Sequence, residues 1–268
     1  MTTIVQLSDT HLLADGALAY GVVDTTTALV RAVAHIHDLH DRLDGIDAVV
    51  VSGDLTDLGE PAAYAAFRAI TRDLPAPMFV IPGNHDDRSA MREALAGTCR
   101  LPPEGTLDFV ADVGGLRLIG LDTTVPGANH GSVGPAQCGW LADRLAEAAL
   151  QPAILFLHHP PFPTGIGHMD AQSLRAPDAL AQIVAANLNV ALVACGHVHR
   201  AISTIWAGRT CMIAPSTAHS VRFDLRPDAP ACFDLEPGAV LVHRLTKNGI
   251  VSYTSPTGSA EGPFPFWP

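Results

Sequence analysis

An α/β fold is predicted for this chain of 268 residues. Three observations carry the prediction. Apolar runs alternate with amphipathic helical patterns as far as Arg200. Most of those runs are continuous rather than alternating, as in strands covered on both faces. After Ala201 the texture changes, and strand-like pieces follow one another with no long helix between them.

The strand candidates of the first part are Ile4–Ser8, Ala48–Ser52, Met78–Pro82, Leu116–Asp122, Ile154–His158 and Val190–Cys195. Between them lie helical patterns at Asp24–Asp41, Pro61–Asp73, Asp87–Ala96, Pro135–Ala149 and Ala176–Ala186. Pro61 and Pro135 suit first helical turns, where the missing N–H costs nothing. The later pieces, Ile202–Trp206, Thr210–Ala214, Ala239–Leu245 and Ile250–Thr254, read as a second, mixed or antiparallel sheet. The Pro-rich stretch Arg222–Gly238 reads as a loop, a lid edge or an oligomer contact. The aromatics Phe264, Phe266 and Trp267 near the end are expected to dock onto something. We expect a single domain over 1–268, with about 200–268 completing the second sheet and forming a cap or dimer contact.

Composition narrows the function. Apolar residues make up 48% and charged residues 16%, a globular profile. The formal net charge of −11 argues against a nucleic acid polymer or an anionic membrane as partner. No leader and no apolar run of membrane-spanning length is evident, so a cytoplasmic location is expected. The five cysteines, 99, 138, 195, 211 and 232, form no Cys-x-x-Cys pair. They read as buried reduced thiols, with a single disulfide left open.

Five short blocks carry the chemistry. They are Asp9-Thr10-His11, Gly53-Asp54, Gly83-Asn84-His85-Asp86, His158-His159 and Gly196-His197-Val198-His199. Each follows an apolar run, which places it at the carboxyl edge of a strand, where open α/β sheets bind ligands. We expect them to meet on one face of one sheet. A lone Asp-x-His is weak; five such blocks together point to two divalent metals side by side. Imidazole and carboxylate donors suit Zn, Mn, Fe or Co. Two divalent ions, two carboxylates and a bridging hydroxide sum to about +1, enough to draw a phosphate ester into an acidic protein.

These blocks resemble the signature of the calcineurin-like binuclear metallophosphoesterases, and the similarity runs over nearly the whole chain. The chain is most similar to the bacterial glycerophosphodiesterases and the class III cyclic-nucleotide phosphodiesterases. Tyr20-Gly21 with Asp24, Asp86-Asp87, His158-His159-Pro160-Pro161, Met169-Asp170 and Ser216 to His219 favour the first branch. The resemblance implies a sandwich of two β-sheets flanked by helices. It implies that Asp9, His11 and His199 bind one metal, that Asn84, His158 and His197 bind the other, and that Asp54 bridges. His85 is implied to face the phosphoryl oxygens or the leaving group, His219 to be a second substrate-side histidine, and Asp57 to orient His85. The implied reaction is attack of a metal-bridged hydroxide on the phosphorus of a small diester.

Bland readings remain for other residues. His35, His37 and His40 fall on the first helix and read as solvated or packing; His243 reads as structural. His159 should point away from its neighbour and serve as support. Asp122 reads as a buried hydrogen-bonding group, and His130 and His168 are ambiguous. Tyr20, Phe162, Met169 and His219 are candidates for the site rim. Leu58 stands where phosphoprotein phosphatases of this family carry an arginine, which disfavours a phosphate monoester. We therefore expect a metal-dependent phosphoric diester hydrolase of glycerophosphodiester type, with a 3′,5′-cyclic nucleotide as the alternative substrate. A non-catalytic interaction module on the same fold is the different-class alternative. Oligomerisation with further copies of the chain is also expected.

Overall fold

A computed structural model describes residues 1–258 and 261–267. Each of its two large sheets has a core of parallel strands. In the first, β1 (Thr3–Leu7), β2 (Ala48–Ser52) and β3 (Met78–Ile81) run parallel, with α1 (Thr25–Arg42) and α2 (Pro61–Thr71) as crossovers and α3 (Arg88–Ala94) following β3. The hairpin β4 (Phe109–Val113) and β5 (Leu116–Leu121) opens the second sheet. After α4 (Pro135–Ala146) come β6 (Ala153–Leu157), the short α5 (Gly167–Asp170), α6 (Asp178–Ala186) and β7 (Val190–Cys195). The remaining strands are β8 (Ile202–Trp206), β9 (Arg209–Ile213), β10 (Ser220–Val221), β11 (Phe233–Asp234), β12 (Ala239–Thr246) and β13 (Gly249–Pro256).

The strands after residue 200 correct the expectation of one separate late sheet. They divide between the two sheets. The β8–β9 hairpin completes a six-stranded sheet of order β4-β5-β6-β7-β9-β8, and the β12–β13 hairpin completes a five-stranded sheet of order β13-β12-β1-β2-β3. Only β10 and β11 stand apart, as a two-stranded ribbon. The strand β4 was not anticipated. Its burial alternates weakly, and only pairing with β5 defines it.

Continuous apolar runs arise because both faces of each sheet are covered. Ile4, Val50 and Ile81 of one sheet meet Leu118, Ile154, Phe156 and Leu192 of the other between the layers. On the outer faces, Val5, Leu7, Val49 and Val51 pack under Leu29, Ile36, Tyr64 and Phe67 of α1 and α2. Ile119, Leu155 and Val193 pack under Leu141, Leu180 and Val184 of α4 and α6. The result is four layers, helix–sheet–sheet–helix, as the resemblance implied. No helix among the described residues is long and apolar enough to cross a membrane. Phe264, Phe266 and Trp267 are 75%, 93% and 83% exposed, so among the described residues they do not dock as expected.

Candidate metal centre

The five blocks sit at the carboxyl ends of β1, β2, β3, β6 and β7, and therefore come from both sheets. This corrects the expectation of a single sheet face: the site straddles one end of the sandwich. The backbones there are tied together. Asp9 N–H donates to Gly53 O at 3.0 Å and His11 N–H to Asp54 O at 3.0 Å, while Gly196 N–H donates to His158 O at 3.0 Å.

The strand ends turn sharply, and five predicted ligands adopt left-handed backbone. Asp9 has φ 53, His11 φ 45, Asp54 φ 51, His197 φ 73 and His199 φ 56. Such conformations cost free energy in a non-glycine residue and persist where the surroundings enforce them. The glycines are required by space. A Cβ on Gly53 would strike the His158 ring, one on Gly83 the Asp54 carboxylate, and one on Gly196 Ser8 Oγ.

All ten predicted site residues are brought to this one end of the sandwich. Asp9, His11, Asp54 and His199 form one buried group. His11 Nε2 lies 3.1 Å from His199 Nε2, and His199 Nε2 lies 3.4 Å from Asp9 Oδ1. His158 and His197 form a second group, with their ring centroids 5.1 Å apart. Asn84 Oδ1 lies 3.2 Å from His158 Nε2. The two groups meet on a single atom: Asp54 Oδ2 is 3.5 Å from His11 Nε2 and 3.3 Å from His158 Nε2.

Outer hydrogen bonds aim the imidazole lone pairs inward. His158 Nδ1 donates to Ser52 O at 2.9 Å, and His11 Nδ1 to Asp57 Oδ1 at 2.8 Å. In the neutral rings each Nε2 is thereby left as an acceptor facing carboxylates. His197 Nε2 is buried with no hydrogen-bond partner among the described residues. Unpartnered buried acceptors gathered around ionised carboxylates call for a cation, so the donor set fits divalent metals. Electrostatics agree. Burial opposes charge on Asp54, but His158 followed by His85 and His11 outweighs it and holds the carboxyl well below its ordinary value. Burial likewise opposes charge on His158, yet Asp54 and then Asp9 push it up to about 9. Burial keeps His197 well below the ordinary value.

Asp57 departs from expectation. Its carboxylate faces His11 and lies 3.6 Å from His85 Nδ1; the 2.8 Å partner of His85 Nδ1 is the Asp57 backbone carbonyl. The residue thus orients His85 through its main chain and His11 through its side chain. His159 lies close enough to His158 and His197 to complete a three-histidine group. Both its nitrogens are engaged, however: Nε2 donates to Asn129 O at 3.1 Å and Nδ1 accepts from Thr123 Oγ1 at 2.7 Å. This fits the supporting role expected of it.

A cavity of about 250 Å³ opens above the two groups. Tyr20, Met169 and His219 line it, as does His168. Phe162 does not, and packs on the core of the second sheet. Residues that sequence reasoning missed complete the wall: Gln172, Val221 and Ala231–Phe233. Their only signal was the Pro-rich stretch, which contains all but Gln172 and Val221. The cysteines are all free, with four buried and Cys232 exposed at the cavity wall. Asp86 accepts from Gly83 N, Leu55 N and Tyr64 OH at 2.9, 3.1 and 2.9 Å, bracing the Asp54 turn. Asp122 is buried and clasped by Arg88 at 2.6 and 2.9 Å. His243 is buried and structural, and His35 bonds Ser255 at 2.8 Å.

A sequence model of the family described as calcineurin-like phosphoesterase matches residues 2–201. The chain is 36% identical over 266 residues to an Arcobacter nitrofigilis protein named as a probable glycerophosphodiester phosphodiesterase, covering 98% of this chain and 96% of that one. It is 33% identical to a Mycobacterium tuberculosis protein named cAMP/cGMP dual specificity phosphodiesterase, over 96% and 80% of the two chains. The backbone superposes on a dimetal phosphatase from Danio rerio with a TM-score of 0.70 at 14% identity, covering 96% of each chain.

Proposed function

This chain belongs to the calcineurin-like phosphoesterase family, and from that premise we propose that it hydrolyses small phosphodiesters of glycerophosphodiester type. In this reading Asp9, His11 and His199 hold one divalent ion, Asn84, His158 and His197 hold a second, and Asp54 joins them. The observation that carries it is the single oxygen, Asp54 Oδ2, within 3.5 Å of His11 Nε2 and 3.3 Å of His158 Nε2. The nitrogen and oxygen donors suit Mn, Fe, Zn or Co. When bound, two such ions supply Lewis acidity toward the phosphoryl oxygens and an activated water.

The chain's own residues do the rest. Asp57 and Ser52 fix the His11 and His158 tautomers from outside. His85 donates its Nδ1 proton to the Asp57 carbonyl, which leaves Nε2 free to hold a second proton toward the cavity. Burial lowers the His85 pKa, but Asp54, the Asp57 carbonyl and the Asp57 carboxylate outweigh it and leave it raised. With Nδ1 held by the Asp57 carbonyl, a proton carried on Nε2 faces the cavity, where a departing alkoxide could take it. Leu58 supplies no clamp for a dianionic monoester, and no Lys or Arg lines the cavity among the described residues. A singly charged diester is the better match. A non-catalytic module is disfavoured because every ligand position is filled and the groups converge.

A 3′,5′-cyclic nucleotide presents the same phosphoryl core and is the second reading. It is favoured by the relatives named as cyclic-nucleotide phosphodiesterases, including one from Escherichia coli at 32% identity over 90% of this chain. The test is turnover of bis(p-nitrophenyl) phosphate by metal-loaded protein, with metal counted per chain. Two ions and release of nitrophenolate are expected. Metal-loaded protein that releases none overturns the reading.

A further inference from the structure

We propose that Tyr20 determines specificity at this site, as a one-sided aromatic platform for a planar arm of the diester; the inference rests on the diesterase reading above. Tyr20 sits at the tip of a tight loop. Ala19 N–H donates to Val23 O at 3.0 Å, Val23 N–H returns to Ala19 O at 2.9 Å, and Gly21 N–H bonds Leu18 O at 3.1 Å. At that tip Tyr20 has φ 52, left-handed backbone that disfavours a bulky side chain. A tyrosine serving only to pack would be buried in a relaxed conformation. This one is strained, 55% exposed and on the cavity wall. Strain retained at a ligand-facing residue points to function.

The neighbouring rings decide what it can bind. Tyr20 lies against Phe233 with centroids 5.0 Å apart and rings inclined at 36°, and it meets His219 at 5.5 Å and 73°. His219 and Phe233 are themselves 5.4 Å apart. Three rings in mutual contact leave no gap for a quaternary ammonium, so an aromatic cage is excluded. The outer face of Tyr20 remains, and a flat π system can stack there in offset geometry. With no cationic side chain on the wall, an arm carrying a second phosphate or carboxylate finds no partner. A neutral planar group, a nucleobase or an aryl ring, is the arm that this face selects, so the platform serves the cyclic-nucleotide reading, whereas a glycerophosphodiester arm passes it without stacking.

The experiment compares Tyr20→Ala and Tyr20→Phe with the wild type, each loaded with Mn²⁺. The substrates are 3′,5′-cyclic AMP, which carries a planar base, and glycerophosphoethanolamine, which carries none. Wild type is expected to cleave both. Tyr20→Ala should lower kcat/KM for cyclic AMP about tenfold, chiefly through KM, the usual scale for a lost base–aromatic stack. Its loss on glycerophosphoethanolamine should be several-fold smaller than its loss on cyclic AMP, and Tyr20→Phe should keep the wild-type ratio of the two activities, since a phenyl face stacks as well. Equal losses on both substrates, or no loss on cyclic AMP, overturn the platform. So does a wild type that cleaves glycerophosphoethanolamine but not cyclic AMP. If wild type cleaves neither of these nor bis(p-nitrophenyl) phosphate, the diesterase reading itself falls, and this inference with it.

Discussion

Asp54 carries more of this site than any other side chain. Its Oδ2 stands between two histidine groups, and its Oδ1 accepts the His85 N–H at 2.9 Å. In the proposed assignment one ion would draw on two carboxylates and two imidazoles, whereas the other would rely on Asn84, a neutral donor, beside the shared Asp54. Asn84→Ala should therefore empty the second position and leave the first filled, so that metal analysis moves from two ions per chain toward one. Equal loss of both ions would refute the assignment. His85 bears on the leaving group. His85→Ala should slow glycerophosphoethanolamine about a hundredfold, because an alkoxide needs a proton, and bis(p-nitrophenyl) phosphate far less, because nitrophenolate leaves unaided. Equal slowing of the two substrates in steady-state assays would remove that role. The convergence of the candidate ligands was legible because Asp, Asn and His after apolar runs recur five times. The Asp57 contacts were not. Whether a residue holds its neighbour through side chain or main chain depends on the turn it occupies, and no spacing encodes that.

Strand ends and turns position these groups, and they were legible to different degrees. Gly53, Gly83 and Gly196 announced the turns at β2, β3 and β7, and each proves to be required by the side chain packed against it. The far wall of the cavity left no such mark. Val221 and Phe233 are ordinary apolar residues that pair across β10 and β11, far from the ligand blocks in sequence. What ties that ribbon to the centre is Arg200, next to the proposed ligand His199. Its Nη1 donates to Val221 O at 2.6 Å, and its Nη2 to both Glu236 oxygens at 3.0 Å. Arg200→Met should loosen the ribbon while leaving the ligand turn in place. We expect KM for a diester to rise roughly three- to tenfold, the scale of charged hydrogen bonds partly open to water, with kcat nearly unchanged. A fall in kcat at constant KM would show that Arg200 acts on the ligand turn instead.

Across the whole molecule, both sheets are built around parallel strands, the second behind an opening hairpin, and both are closed late by antiparallel hairpins. A hairpin pattern alone does not say which sheet it joins, so the destinations of β8–β9 and β12–β13 were illegible before the pairings were known. One buried network shows how the closure is pinned. Gln6 in β1 donates its amide to Ser52 Oγ at 2.8 Å and to Cys195 O of the other sheet at 3.0 Å. Its remaining oxygen takes the Nε2 proton of His243 in β12 at 3.1 Å, and His243 Nδ1 accepts from Ser252 Oγ of β13 at 2.8 Å. The imidazole is thereby satisfied as a neutral ring, and burial lowers its pKa to about 4. The sign of the linkage follows. Between the unfolded value near 6.5 and the folded value, the unfolded chain binds a proton that the folded chain refuses. Stability from this group is complete above about pH 6.5 and is lost as pH falls toward 4. From pH 7.5 to 5 the loss should be about 2 kcal/mol. In His243→Gln the amide can keep both hydrogen bonds without titrating, so that share of the acid sensitivity should vanish. Urea unfolding of metal-free wild type and variant at the two pH values measures the difference, and because the ligand histidines titrate alike in both, they cancel. Identical acid losses in the two proteins would mean that His243 does not link the closure of the sheets to pH.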